Sequence, residues 1–164
     1  MLALRPACAA DAPLVLSFIR ELAEYEKLAH DVVATLADIE AALFCERPRV
    51  FCDIAEQDGA SAGFALWFYT FSTFRGRHGI YLEDLYVRPE HRSAGIGKAL
   101  LGGLARRCRD EGLARLDWAV LNWNAPSIAF YESLGAQPHD EWTVYRLTDA
   151  ALGALAEASA ERDR

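Results

Sequence analysis

Apolar residues along the chain recur first at helical spacing and then at strand spacing. A short strand, "LALRPA", is ended by Pro6, and Asp11 then stands as N-cap to a helix on which Leu14, Phe18, Leu22 and Tyr25 share one stripe. A second helix starts at Thr35. There Thr35 and Asp38 have capping-box spacing, and Ile39, Leu43 and Phe44 follow. The period then shortens to two. "RVFCDIAEQDG" reads as a strand entering a turn at Asp58 and Gly59, and "SAGFALWFYTFS" as a strand too apolar to have a solvated face along its length. After "FRGRHG" the chain turns back into Ile80 to Val87, which predicts three antiparallel strands in succession.

Helix and strand alternate from there on. A helix from Gly95 to Arg109 precedes a strand "ARLDWAVL", a short helix from Ala125 to Leu134 stopped by Gly135, and a last strand "EWTVYRL". The alanine-rich tail from Asp149 reads as a further helix. This order predicts an α/β fold of the mixed α+β kind, a mixed sheet with helices on both faces. No repeat or linker interrupts it, so residues 1–164 are expected to form a single domain, with 149–164 as a helical tail.

Composition narrows the partners. A formal charge of −7 offers no basic surplus to displace counterions, which argues against nucleic acid or an anionic membrane and favours a cationic substrate. Cys8, Cys45, Cys52 and Cys108 form no C-x-x-C pair, and His30, His78, His91 and His139 show neither triad nor metal spacing. No metal is expected. "MLALRPACAADAPLVLSF" lacks the parts of a signal peptide, and no apolar run approaches the roughly 20 residues that cross a bilayer. A cytoplasmic protein with reduced thiols is expected.

Candidate chemistry concentrates in "YLEDLYVRPEHRSAGIGKALLGGLARRC". The turn "RSAGIG" lies between strand and helix, where the first helical N–H groups lack intrahelical partners and the macrodipole favours an anion. Arg92 and Lys98 add positive charge. A Walker A loop fails because Arg92 stands five before Gly97 and Ala99 follows Lys98; a dinucleotide fingerprint fails because Leu100 stands where a small residue is needed. The two glycines taken alone read as a tight strand-to-helix turn.

Upstream, Glu83 and Asp84 interrupt an apolar strand, and alternation points them to opposite faces. They either sit at a strand end, solvated or paired to an arginine such as Arg115, or they carry chemistry. Downstream, Asn124 is the N-cap of a helix on which Tyr131 shares a stripe with Ser127, Ile128 and Leu134, and spacing alone reads that stripe as core. "ELAEYEK" reads equally as a solvated helix face with ion pairs or as a functional segment.

The run "VRPEHRSAGIG", with Arg92, Gly95 and Gly97 in the spacing R-x-x-G-x-G, resembles the acetyl-coenzyme A pyrophosphate loop of the GNAT N-acetyltransferases. The element order resembles the GNAT fold, a mostly antiparallel mixed sheet, over nearly the whole chain. "RELAEYEKL", "FSTFRGRHGIYLEDLYV" and "NWNAPSIAFYESLGA" further resemble the diamine acetyltransferase subgroup, which includes spermidine/spermine and thialysine N-acetyltransferases.

The resemblance implies direct acetyl transfer from acetyl-coenzyme A to a primary amine of a small molecule, a thialysine-like or lysine-like amine or a diamine, by a homodimer. It implies Tyr131 as the acid that protonates the departing thiolate and Glu83 as the group that holds the ammonium and takes its proton, directly or through water. It implies cofactor contacts from the backbone of Leu85, Tyr86 and Val87, often beside a β-bulge. It implies the same for the loop Arg92, Ser93, Ala94, Gly95, Ile96, Gly97 and Lys98, and for Asn124, Pro126, Ser127 and Ser133. Tyr25, Glu26 and Ser72 fall with Glu83 on the amine side.

Ser72 stands where the spermidine/spermine enzymes carry an acidic residue, which implies the thialysine branch. Glu83 has work to do in such a reaction: an alkylamine of pKa about 10.4 must give up a proton at pH 7, at a cost of about 4.6 kcal/mol. A polyamine, an antibiotic amine or a protein N-terminus as acceptor stays open, as does a non-catalytic acyl-coenzyme A binding module.

Overall fold

The computed structural model describes residues 1–160. The chain divides into two compact units, Met1–Leu121 and Asn122–Arg164. The first unit contains β1 (Leu2–Pro6), α1 (Ala12–Tyr25), α2 (Leu36–Leu43), β2 (Phe51–Gln57), β3 (Ala60–Ser72), β4 (Arg77–Val87), α3 (Ile96–Asp110) and β5 (Leu116–Trp118).

The strands form one sheet in the order β1-β2-β3-β4-β5. All neighbours are antiparallel except β4 and β5, which run parallel. The link between β2 and β3 is Asp58 and Gly59 alone, with φ of 54° and 83°. Two left-handed residues are what a type I′ hairpin requires.

Helices cover both faces because β3 is apolar on both. Phe64 and Trp67 lie three apart and therefore face opposite sides. On the Phe64 side, Phe18 of α1 stacks on the Phe64 ring at 5.2 Å and tilts against Tyr86 at 6.3 Å, within a core that includes Val15, Leu22, Ile39 and Leu43. On the Trp67 side lies α3, whose Arg107 guanidinium is 4.9 Å from the Trp67 ring centroid. Ile96, Leu100 and Leu104 of that helix are fully buried.

The helix starts follow the sequence with one difference. Thr35 and Asp38 form the expected reciprocal box, the Thr35 N–H donating to Asp38 Oδ2 at 2.8 Å and the Asp38 N–H to Thr35 Oγ1 at 3.3 Å. Asp11 does precede α1 but makes no cap bond. Its carboxylate instead accepts two bonds from Arg5, at 2.6 and 2.9 Å, and one from the Cys8 N–H, tying β1 to the helix start. A charge-assisted fork outcompetes a single neutral cap bond.

Two strands differ from expectation. The strand expected across "ARLDWAVL" shrinks to Leu116–Trp118, because its ladder ends opposite Leu82 and the next residue of β4 is a bulge. In the second unit, α4 spans Ala125–Ser133 and α5 Asp149–Ala160, and the strand expected over "EWTVYRL" does not form. A strand exists only against a partner. Among the described residues that unit has no other strand, and Trp142 and Val144 are 72% and 90% exposed.

Candidate functional site

The site grows from the irregularity in β4. Leu66 of β3 pairs with Asp84 and the next residue, Trp67, pairs with Leu82, so Glu83 is an extra residue with no partner of its own. Leu82 and Asp84 are two apart yet pair with adjacent residues of β3, which puts them on opposite faces of the sheet. The bulge at Glu83 absorbs the change of parity. Strict alternation, which would place Glu83 and Asp84 on opposite faces with Leu82 beside Asp84, therefore fails here.

Past the bulge, β4 pairs with β3 but no longer with β5. Within the first unit, Leu85, Tyr86 and Val87 thus border a gap in the sheet where an extended ligand could take the place of a strand. Gly63 lets the backbones close up on the other side: a Cβ there would lie 2.4 Å from the Tyr86 carbonyl oxygen.

The bulge also collects negative charge. Asp84 is half-buried, and burial first, then the carboxylates of Glu83 and Glu26, push its carboxyl up to about 6. Glu26 follows the last residue of α1 and is itself raised by burial. Asp84 thus feels the negative charge of its chain neighbour Glu83 and of Glu26 after α1, with Tyr25 adjoining Glu26 along the chain. Arg115, an alternative partner for the pair, is engaged by Asp117. Among the described residues no group of histidine, cysteine and acidic side chains could hold a metal ion.

A clamp sets the end of α1 against β4. Arg88 gives Nε and Nη2 to the two oxygens of Glu21, at 3.0 and 2.8 Å, and Nη1 to the Ser61 carbonyl at 3.0 Å. Its guanidinium also lies 4.7 Å from the Phe18 ring centroid. This fork holds Glu21 below the usual carboxylate range and fixes the segment that carries Tyr25 and Glu26.

The loop after β4 leads into the N-terminus of α3 through two left-handed residues. Arg92 follows a single 3₁₀ turn, Ser93 has φ of 63°, and Gly95, the N-cap of α3, has φ of 77°. No side chain caps the helix, which leaves its first N–H groups without a side-chain acceptor. At Gly95 a Cβ would meet nothing within 4 Å. The glycine meets the left-handed backbone required there. Ile96 is buried and anchors the turn, while Ser93, Ala94 and Lys98 are exposed and Gly97 lies within the first turn of α3.

Ser72 is not brought to this cluster. It pairs with Arg77 at the far end of β3, six residues from Leu66 and therefore about 20 Å along the strand from the position opposite Asp84. Its hydroxyl accepts the Arg75 N–H in the β3–β4 turn.

In the second unit, Asn124 is buried and caps α4 as expected, Oδ1 accepting the Ser127 N–H at 3.3 Å, with Pro126 in the first turn. Ser133 Oγ donates to the Phe130 carbonyl, and the Tyr131 ring, half-buried, lies 5.3 Å from that of Phe130. Gly135 follows the helix with φ of 88°, the predicted stop.

Sequence reasoning did not place Asp84 in the site, nor the Arg88–Glu21 clamp. The adjacent acidic pair was a visible signal for the first. The clamp joins residues 67 apart in sequence, and nothing local marks it.

Residues 17–136 match the family described as the acetyltransferase (GNAT) family. A thialysine N-epsilon-acetyltransferase from Bos taurus is 38% identical over 93% of this chain and 96% of its own length. An L-ornithine N5-acetyltransferase from Arabidopsis thaliana is 29% identical over 93% of this chain and 86% of its own. Among solved structures, an integron cassette protein from the mobile metagenome of V. cholerae superposes with a TM-score of 0.78 and 29% identity, covering 94% of this chain and 97% of that one.

Proposed function

The chain belongs to the acetyltransferase (GNAT) family, and from that premise we propose that it transfers an acetyl group from acetyl-coenzyme A to the side-chain amine of a small amino acid, with thialysine and ornithine as the type. The observation that carries this reading is the bulge at Glu83. One irregular residue ends the β4–β5 ladder, bares the edge of Leu85, Tyr86 and Val87, and gathers Glu83, Asp84 and Glu26 beside it.

On this reading the loop from Arg92 to Lys98 and the start of α3 hold the pyrophosphate of acetyl-coenzyme A, which supplies the thioester. The carboxylates attract the ammonium and accept its proton, with Glu83 as the group nearest solvent. The neutral nitrogen attacks the thioester carbonyl to form the C–N bond, gives up its second proton to solvent, and the C–S bond breaks as the leaving thiolate takes a proton. That proton comes from Tyr131, a role that rests on the motif "AFYESLG". Asn124, Pro126, Ser127 and Ser133 adjoin the same motif and are proposed as further cofactor contacts.

Because Ser72 lies in a distant turn, its hydroxyl is not proposed to touch the amine held by the carboxylates of its own chain. We further propose one catalytic domain, since the family match runs unbroken past Leu121, and a cytoplasmic homodimer with free cysteines. Among the described residues no helix is long and apolar enough to cross a membrane.

The test is a comparison of kcat/KM for acetyl-coenzyme A consumption with thialysine, ornithine, spermidine and an amino-terminal peptide. The amino acids should lead. A clear preference for spermidine or the peptide would overturn the acceptor assignment.

A further inference from the structure

Arg92 opens the anion loop, yet its side chain is directed elsewhere. Its Nε donates to the Val87 carbonyl at 2.9 Å, and its guanidinium carbon lies 4.8 Å from the Tyr25 ring centroid and 5.8 Å from that of Tyr86. Tyr25 is the last residue of α1, and Glu26 comes next. A cation therefore already rests on the aromatic face of the residue that precedes Glu26.

That is the surface an alkylammonium would seek, since the ring quadrupole attracts cations and the carboxylates add to the attraction. Three residues beyond Arg92, the N-terminus of α3 stands without a side-chain cap. One guanidinium thus has two competing places, an aromatic face now and a bound anion when one arrives. Arginine forms its strongest pairs with phosphate oxygens, so the anion wins.

We propose that Arg92 is an internal stand-in for the amine: it covers Tyr25 until the pyrophosphate of the acetyl donor draws it away, so that donor binding uncovers the aromatic face for the acceptor. This rests on the reading that the α3 loop takes the donor and the Tyr25–Glu26 end takes the amine. The device couples the two sites with positive sign, and by linkage each ligand tightens the other. It also disfavours amine binding before the donor is present.

Calorimetric titration of thialysine into the full-length protein, with and without saturating coenzyme A, tests it. Coenzyme A carries the pyrophosphate but no acetyl group, so no turnover intervenes. The wild type should bind thialysine about fivefold or more tightly when coenzyme A is present, the lower end of ordinary coupling between sites. Arg92→Gln should bind thialysine alone at least as tightly as the wild type does with coenzyme A, and should gain little from the cofactor.

An Arg92→Gln protein that loses coenzyme A affinity but binds thialysine alone like the wild type would make Arg92 a phosphate ligand only and overturn the proposal. A wild type with equal thialysine affinity in both conditions would do the same. Gly97→Val separates the underlying reading: if that variant binds coenzyme A undiminished, the loop assignment falls and the switch falls with it. A loop that Gly97→Val does disable, beside an Arg92→Gln protein that keeps its coupling, removes the switch alone.

Discussion

Asp84 is the residue whose environment is most at odds with its chemistry. An ordinary aspartate ionises near 3.9, and this one is pushed up to about 6 by burial and by Glu83 and Glu26. Between those values the folded protein binds more protons at Asp84 than the unfolded chain does, so the contribution of this one group to stability is greatest below about pH 4 and falls as pH rises through 6. Two units at about 1.36 kcal/mol each set an upper bound on the order of 3 kcal/mol. Asp84→Asn removes that charge, so its urea midpoint should exceed that of the wild type at pH 8, with the gap closing below pH 4. Its kcat/KM for the amine should fall. A midpoint at pH 8 equal to or below the wild type's would show that the carboxylate is not held charged at a cost. Tyr131 allows a second test at this scale. Tyr131→Phe should keep coenzyme A affinity and lose about 10²–10⁴-fold in turnover, as expected for a missing general acid; full turnover would return the ring to a packing role against Phe130. The acidic pair was visible in the sequence as two adjacent carboxylates in an apolar strand, whereas the role proposed for Tyr131 rests on its motif alone. Which carboxylate is the buried one was not visible, because that depends on one unpaired residue in a ladder.

Helices, hairpins and caps were legible because each is encoded within a few residues: the Thr35–Asp38 box, the Asp58–Gly59 turn, and the Gly135 stop all form as the local chemistry dictates. Features that depend on a distant partner were not legible. The β5 ladder ends at Trp118 because of Glu83, more than thirty residues earlier, and the "EWTVYRL" segment has strand chemistry with no strand beside it in its own unit. The turn before α3 lies between these cases. The sequence marked Gly95 and Gly97 as making room for an anion, and the structure adds a second requirement at Gly95, the left-handed φ of 77°. Gly95→Ala should therefore cost about 1–2 kcal/mol in stability, the penalty of a left-handed residue with a Cβ. It should also raise the KM for acetyl-coenzyme A, because relief of that strain rotates the first N–H groups of α3. An alanine variant with unchanged stability would mean that the turn can take another path, and would weaken the case for a preformed anion site.

At the scale of the whole molecule, the anion site and the cation site make opposite demands on one charge distribution. A net charge of −7 repels a phosphate-bearing donor at long range and attracts an ammonium-bearing acceptor. On the proposed assignment the donor meets short-range groups that the net charge barely affects, the start of α3, Arg92 and Lys98, whereas the acceptor gains from the field of the whole surface. Salt should separate the two. The Debye length shrinks from about 10 Å at 0.1 M to about 3 Å at 1 M, which removes steering and leaves contacts at hydrogen-bond range largely intact. Raising sodium chloride over that range should lower kcat/KM for the amine while changing kcat far less. The fall should be steeper for spermidine, with about three positive charges at neutral pH, than for thialysine, with about one. For acetyl-coenzyme A the same titration should leave kcat/KM flat or slightly raised, since screening relieves a repulsion. An amine kcat/KM indifferent to salt would mean that Glu26, Glu83 and Asp84 act only at contact, and that the acidity of the rest of the surface has no part in selecting the substrate.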